Sequence, residues 1–515
     1  MRVDEWFLSA AERGNPHSGL DRRRGDGLAW TTGNEVRPLI DGGAYYAALL
    51  PAIHAMREGD LLMFTDWRGD PDELLDGPGT GISRVLCQAA RRGVIVKGLV
   101  WRSHTDRFKF SSRENDHLGE QIEAAGGECL RDMRVRTGGS HHQKFVVLRH
   151  PGRPHLDVAY VGGIDLCHGR HDDATHDGDP QPSPIAAVYG KRPPWHDVQA
   201  AIRGPAVGEV EATFRERWND PSLLSRNPLH RIRDLIKRED TKAGPLPPPS
   251  PDPPPRGALA VQLLRTYPYR RKGYPFAPLG ERSIARGYRK AVGRARTLIY
   301  LEDQYLWSPL VITCFADALR NNPRLHMIAV LPRHPDQDGR IAATPQLFGR
   351  ARAMAMLQRA GGDRVAVYSP ENHAGVPIYV HAKVCLIDDE WASIGSDNMS
   401  RRSWTHDSEL TCAVLDPSGT YARDLRLRLA REHLELTDDA PLRDPAAAFA
   451  VFAAAATALQ RWQSGDRHGE RPPGRLLPYH APHLSRWTQA WSGVLYRAVC
   501  DPDGRPRALR HANTF

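Results

Sequence analysis

Cysteine is scarce in this 515-residue chain: seven residues, at 87, 129, 167, 314, 385, 412 and 500, odd in number and without a CxxC pair. That pattern excludes a disulfide framework and a cysteine zinc site, and leaves most of the thiols as small buried hydrophobes. Long apolar runs are missing as well. The most apolar stretch, AAAFAVFAAAATAL at 446–459, is mostly alanine; it falls short of the ~20 residues of a membrane span and suits a buried helix. The first residues, MRVDEWFLSAAERGNPHSGLDRRR, carry early acids and no apolar core of signal-peptide length, so the expectation is a cytoplasmic protein. No stripe of alternating basic and aromatic side chains marks a single-stranded nucleic-acid track.

What is present is a soluble, globular composition, 40% hydrophobic and 25% charged, in a chain too long for one ordinary core, so two domains or lobes are expected. The formal net charge of +9 favours anionic partners such as phosphates, nucleic acid or a lipid surface without choosing among them. The segment AGPLPPPSPDPPPR, 243–256, cannot form helix or central strand and reads as an extended, semi-rigid spacer. DGPGTGISRV at 76–85 has glycines ahead of a helix but lacks the Lys-Ser/Thr of a phosphate loop, so it reads as a plain turn.

The two sides of the proline segment repeat each other. Before it, DLLMFTDW (60–67) reads as a strand, LCQAARRGV (86–94) as a helix, VIVKGLVW (94–101) and HHQKFVVLR (141–149) as strands. After it, TLIYLEDQYLW (297–307), VITCFADALRNN (311–322), HMIAVLP (326–332) and VHAKVCLID (380–388) give strand, helix, strand and strand in the same order. From Thr65 to His142 is 77 positions and from Glu302 to His381 is 79. This is a duplicated α/β lobe. The expected division is an N-terminal extension (1–33), a first lobe (34–242), the linker (243–256), a second lobe (257–440) and a C-terminal helical extension (441–515).

Each half carries His-x-Lys ahead of an apolar run: His142 and Lys144 before FVVL, His381 and Lys383 before VCLI and Asp388. Residues two apart on a strand point to one face, so each half projects an imidazole and an ammonium together. Each half then reaches a glycine turn, VGGIDL (161–166) with Gly163 and Asp165, and IGSDNMS (394–400) with Ser396 and Asn398. One His-x-Lys alone is no signal. Two at equivalent places in a repeat are a strong one.

This pattern resembles the phospholipase D superfamily, whose signature is H-x-K-x4-D followed by G-[GS]-x-N. The resemblance runs from about residue 34 to 440. YLEDQYLW (300–307) is similar to the family's IYIENQ stretch, PWHDVQAAIRGPAVGEVEATFRERWN (194–219) to its W-H-D…GPA…RWN block, and VGGIDLCHGRHD (161–172) to its GGLDLC segment. One position departs: five places after Lys144 stands Arg149, where the second half keeps Asp388. The fold implied is two similar phospholipase D-like α/β lobes, each a mixed β-sheet flanked by helices, packed with pseudo-twofold symmetry.

The chemistry implied is attack on a phosphodiester, which needs a nucleophile, a proton for the leaving alcohol and positive charge for the phosphoryl oxygens. Two histidines supply the first two, one neutral and one protonated; Lys144, Lys383 and the amide of Asn398 supply the third. Carried over from the family, His142 is the nucleophile of a phosphohistidine intermediate and His381 the general acid, with Asp388 and Asn398 completing the catalytic set. Each imidazole is expected to be oriented by a carboxylate of its own half: Asp172 for His142 and Glu409 for His381. Asp165, Gly163, Ser396 and Glu302 are expected in support, and His196 of W-H-D in a structural role or on the cleft rim. No metal and no cofactor is expected. The implied partner is a phospholipid at a membrane surface, with water or an alcohol as acceptor, and a monomer working in the cytoplasm against a membrane. A nuclease, a cardiolipin synthase-like phosphatidyltransferase, and a non-catalytic phosphate-binding relic are the alternatives.

Overall fold

The computed structural model describes residues 2–103, 112–237, 241–416 and 418–515. Seven strands build the first half: β1 (Thr31–Ile40), β2 (Leu61–Asp66), β3 (Ile95–Trp101), β4 (Glu128–Asp132), β5 (Phe145–Arg149), β6 (Val158–Gly162) and β7 (Val198–Arg203). Seven answer them in the second: β8 (Leu259–Tyr267), β9 (Leu298–Glu302), β10 (His326–Val330), β11 (Val365–Pro370), β12 (Val384–Ile387), β13 (Trp391–Gly395) and β14 (Glu409–Leu415). A last strand, β15 (Leu476–Pro478), lies at the edge beside β11.

The order across the sheet is β15-β11-β10-β9-β12-β13-β14-β8-β1-β7-β6-β5-β2-β3-β4. Read outward from the β1–β8 contact, the halves mirror one another. β2, β3 and β4 run parallel, as do β9, β10 and β11, and the remaining ladders are antiparallel. The central β1–β8 pairing holds only Thr31↔Val261 and Asn34↔Leu259, with an irregularity between them. Two lobes therefore share one continuous sheet.

Strands covered on both faces read as unbroken apolar runs, and LLMFTD of β2 and VCLI of β12 are buried at every residue. On one face a single core crosses from half to half. It joins Val147, Val161 and Ile202 to Leu386, Ile394 and Val414 beneath the helices Ala206–Trp218 and Tyr421–Leu434. The other face has separate cores for the first half, around Tyr46, Leu86 and Ile122, and the second, around Tyr288, Phe315 and Leu357.

The flanking segments belong to the second half's packing. Trp6, Phe7 and Leu8 enter its core, and Leu8 exchanges hydrogen bonds with the Gln262 side chain at 2.9 and 2.8 Å. The alanine-rich run forms the helix Pro445–Ser464, which buries Ala448, Phe452, Ala456 and Leu459. The stretch after it, read as wholly helical, contributes β15 as well, because Tyr368 to Pro370 at the sheet edge accept a further partner.

The proline segment has no regular secondary structure, yet it is no free spacer. Trp218 Nε1 donates to Gly244 O at 2.8 Å, Arg215 to Pro247 O at 2.7 Å, and Arg149 to the carbonyls of Ser250 and Pro251 at 3.0 and 2.6 Å. Arg23 pairs with Asp252. Proline lacks donors but keeps its carbonyls, and here arginines collect them.

Candidate active site

His142 and Lys144 do not lie within β5, as the sequence pattern suggested, but on the extended segment entering it. His381 and Lys383 precede β12 in the same way. The reason is a change of backbone partner. His142 N–H donates to Ser408 O at 2.9 Å, and His381 N–H to His196 O at 2.7 Å, so each motif pairs across to the other half before its own ladder begins. Around the second crossing, Tyr379–Val380 and Trp195–His196 form a two-stranded parallel ladder; around the first, His141 bridges Ser408.

That crossing carries the carboxylates with it. Glu409, the first residue of β14, places Oε2 2.9 Å from His142 Nδ1. Asp197, just before β7, places Oδ2 2.6 Å from His381 Nδ1. The expected partnership within each half is therefore wrong on both sides: Glu409 serves His142, and Asp197, not singled out in the sequence, serves His381. Asp172 makes no hydrogen bond with His142; loop amides claim it, and its Oδ2 lies 3.8 Å from His176 Nδ1. Its oxygens accept from Asp173, Gly178 and Trp195 N–H at 3.0, 3.0 and 2.7 Å.

The glycine turns hold these carboxylates. Ser396 Oγ donates to Glu409 Oε2 at 2.5 Å. In the first half Gly163 stands at the corresponding place, and a Cβ there would lie 2.1 Å from Asp197 Oδ1. Asp165 accepts from Trp67 and Arg68 N–H at 3.0 and 3.3 Å and lies 3.6 Å from Lys144 Nζ. Lys144 Nζ also donates to His142 O at 3.0 Å. Lys383 Nζ reaches His381 O and, at 3.4 Å, Gln304 Oε1. Asn398 is buried with its side-chain oxygen unpartnered among the described residues.

Two of the expected residues stand apart from this group. The Asp388 carboxylate, at the far end of β12, accepts the backbone N–H groups of Arg296, Thr297 and Leu298 at 2.6, 2.8 and 2.9 Å. Five residues of extended chain, roughly 16 Å, separate it from Lys383, so its work is to tie a turn. Glu302 is fully buried and accepts from Tyr300 Oη, with His196 Nε2 and His433 Nε2 each at 2.8 Å. Arg149, in the place matching Asp388, pairs with Asp157 at 3.0 Å and Glu211 at 2.9 Å and anchors the proline segment.

Burial, then Lys144 and Lys383, push His142 well below the usual imidazole range. Burial, Lys383, Arg170, Lys144 and His142 itself do the same to His381. Each lysine thus bears on both histidines. Burial pushes Glu409 up to about 8, with Asp407 adding to it. Both rings stay partly open, the side chains 17% and 8% exposed. The Trp67 ring meets His142 edge-on at 6.3 Å, and Trp195 lies 5.0 Å from His381 under the Arg170 guanidinium.

Residues 77–266 match the phospholipase D family, and residues 330–429 the cardiolipin synthase, PLD-like domain. The chain belongs to the phospholipase D superfamily. Among curated members, phospholipase D alpha 1 of Oryza sativa subsp. japonica is 27% identical over 86% of this chain and 70% of its own length. Phospholipase D alpha 1 of Cynara cardunculus is 26% identical over 72% of this chain and 60% of its own length. The phosphatidylserine synthase structure from Haemophilus influenzae Rd KW20 shares the fold, with a TM-score of 0.53 at 12% identity over 82% of this chain and 94% of that one. As a phospholipase D superfamily member, the chain keeps both His-Lys pairs while carrying Arg149 in one half.

Proposed function

We propose that this chain is a phospholipase D-type phosphodiesterase that cleaves or exchanges the headgroup of a glycerophospholipid through a phosphohistidine. The observation that carries this reading is the mirrored arrangement of His142 on Glu409 and His381 on Asp197. In its ionised form the carboxylate at Nδ1 fixes the tautomer with the ring proton there and leaves the Nε2 lone pair for chemistry; Glu409, raised to about 8, takes that form as its proton is lost. Membership of the superfamily supports hydrolysis of a phosphoric diester or phosphatidyl transfer as the reaction class.

In the first step His142 Nε2 bonds to phosphorus while the phosphorus–headgroup oxygen bond breaks, and that oxygen takes a proton from His381 Nε2. In the second, water or an alcohol attacks phosphorus, gives its proton to His381, and the Nε2–phosphorus bond breaks. The sequence reading expected one imidazole protonated beforehand, but in the free protein burial and the two lysines disfavour the charge on both. The phosphate's own negative charge offsets the lysines, so the proton on His381 arrives with the substrate and is stabilised by Asp197. Lys144 and Lys383 face the phosphoryl oxygens. Both histidines and both carboxylates come from one chain, so a monomer holds a complete site. No helix among the described residues is long and apolar enough to cross a membrane, and in this reading the protein meets its lipid at the membrane surface from the cytoplasmic side.

The test is product partition. Purified protein acts on phosphatidylcholine vesicles with rising ethanol, and choline, phosphatidic acid and phosphatidylethanol are measured together. Phosphatidylethanol should grow at the expense of phosphatidic acid while choline release holds steady, because both products come from one intermediate. Choline release that never yields phosphatidylethanol refutes the intermediate; no headgroup release from phosphatidylcholine or from vesicles of other glycerophospholipids refutes the lipid assignment.

A further inference from the structure

The helix Pro228–Lys237 is packed inside out. Its apolar residues recur at Leu229, Ile232, Leu235 and Ile236, the spacing of one helical face, and that face points to solvent, from 55% exposed at Ile232 to 80% at Leu235. The polar face is the one that meets the protein. Asp234 is buried and accepts from Arg102 Nη1 at 2.9 Å, Arg233 pairs with Asp116, and His230 Nδ1 lies 2.9 Å from Ser225 Oγ. A lone exposed leucine needs no explanation, but a whole helix face held outward by ion pairs marks a surface that something covers.

The helix stands at the end of the sheet where the site opens. His142 and His381 lie at the carboxyl ends of the parallel strands, where Thr65 of β2 is in register with Phe145 and Glu302 of β9 with Val384. Arg102, which holds Asp234, directly follows β3. Met133, directly after β4, donates its N–H to Leu224 O at 2.9 Å, just before the helix. Trp101, the last residue of β3, stacks at 5.4 Å on Trp67, whose ring meets His142. The second half presents a smaller counterpart. Its helix Arg486–Leu495 leaves Trp487 and Val494 exposed by 79% and 60%, and Tyr496 behind it donates to Trp307 O at 2.7 Å in the loop after β9. Both apolar faces therefore belong to the end of the sheet at which the histidines open.

We propose that these two helix faces are the surface by which the protein docks on a phospholipid bilayer, with the helix Pro228–Lys237 lying in the headgroup layer. The inference deepens the lipid reading above and rests on it. Charge favours a lipid surface as the occupant. Asp234 is the only acid between Arg226 and Lys237 and it is buried, while Arg226 and Arg231 are exposed; from Arg486 to Cys500 there is no acid, and Arg486 and Arg497 are exposed. An apolar face rimmed by cations is the pattern of a helix that lies in a bilayer interface and prefers anionic lipid. A second copy of the chain fits the area less well. Ten residues of helix, about 15 Å long and about 10 Å wide, offer a footprint of roughly 150 Å² against the roughly 800 Å² per partner of a stable protein interface. A bilayer asks for no such area from one helix, and it is the phase from which the site must draw its substrate.

The test is co-sedimentation of the full-length chain, carrying His142→Ala so that the lipid stays intact, with vesicles of phosphatidylcholine alone or mixed with phosphatidylglycerol. Adding Ile232→Asn and Ile236→Asn together should weaken the partition about tenfold or more. Arg231→Gln should weaken binding to the mixed vesicles and leave binding to pure phosphatidylcholine unchanged. If the double variant fails to fold by circular dichroism, Leu235→Asn decides, since that residue is the most exposed of the four. Equal partition for the folded double variant and its parent overturns the docking surface. So does a dimer in sedimentation velocity that the double variant dissolves, which assigns the face to a second copy. Headgroup release by the wild type is read separately on monomeric dibutyrylphosphatidylcholine, where no bilayer exists. Release there without vesicle binding overturns the docking proposal and leaves the lipid chemistry standing; vesicle binding through this helix with no release from monomer or vesicle upholds the surface and overturns the chemistry.

Discussion

His142 takes its orienting carboxylate, Glu409, from the opposite half of the chain, 2.9 Å away in space and 267 residues on in sequence. His381 takes Asp197 from the first half at 2.6 Å. Since each carboxylate fixes a tautomer and supports a developing imidazolium, Glu409→Gln and Asp197→Asn should each lower kcat by about 10²–10⁴ with little change in KM. Asp172→Asn, whose oxygens serve loop amides, should alter stability while the folded protein keeps a near wild-type kcat. Steady-state choline release separates them; a wild-type rate from Glu409→Gln would remove the cross-half pairing from the mechanism.

Gly163 touches this same chemistry through space alone. An added Cβ would come within 2.1 Å of Asp197 Oδ1, so Gly163→Ala should displace the carboxylate and reproduce the kcat loss of Asp197→Asn with the circular dichroism unchanged. Gly25→Ala, where a Cβ meets nothing within 4 Å, is the control and should be silent. Equal rates for the two alanine variants would show that the turn tolerates a side chain.

Lys383 sets an alkaline limit. Burial lowers the ammonium, Asp197 draws it back and Lys144 lowers it again, to about 8. The cation that meets the phosphoryl oxygens is present below that pH and lost above it, so kcat/KM should fall about tenfold per pH unit on the alkaline side. Lys383→Arg, which stays charged, should lose rate at neutral pH but lack this limb. A profile from pH 6 to 10 that is flat for the wild type would assign the phosphoryl charge elsewhere.

Arg149 replaces the expected aspartate and has been given different work. Arg149→Asp would set a third carboxylate beside Asp157 and Glu211 and free the carbonyls of Ser250 and Pro251. Breaking a buried pair of this kind costs about 3–5 kcal/mol. Urea unfolding should show that loss, and limited proteolysis should cut within 243–256 in the variant alone. An unchanged midpoint and cleavage pattern would mean that the strap is held by its other contacts.

The duplicated strand and helix order was legible in the sequence because buried parallel strands such as LLMFTD announce themselves as apolar runs, and two His-x-Lys motifs at matching places announce a shared site. The central strand was not. TTGNEVRPLI of β1 contains a glycine and a proline and shows no clean alternation, because it works at an irregular junction between halves. The site was readable where chemistry sits next to itself in sequence and unreadable where it crosses the molecule. Glu409 is legible as an acid, but sequence spacing ties it to the histidine of its own half. Asp197 carries no signal of its own beside His196, although both acids stand at the start of a half's closing strand, in HDVQAAIR and SELTCAVL. Asp388 matched the motif, yet only coordinates reveal that three backbone amides occupy its carboxylate.

Because β1 is laddered to β7 on one side and to β8 on the other, and one core runs beneath both halves, there is no seam along which the halves can swing apart. Domain proteins that bind between lobes open and close on a hinge; here the width between the two histidines is built into the ladder. Access to the histidines is then left to the loops around them and not to a hinge between the halves. Thermally, the same continuity couples the halves, so that neither can melt while the other stays folded, and heat absorption is concentrated in a single cooperative event.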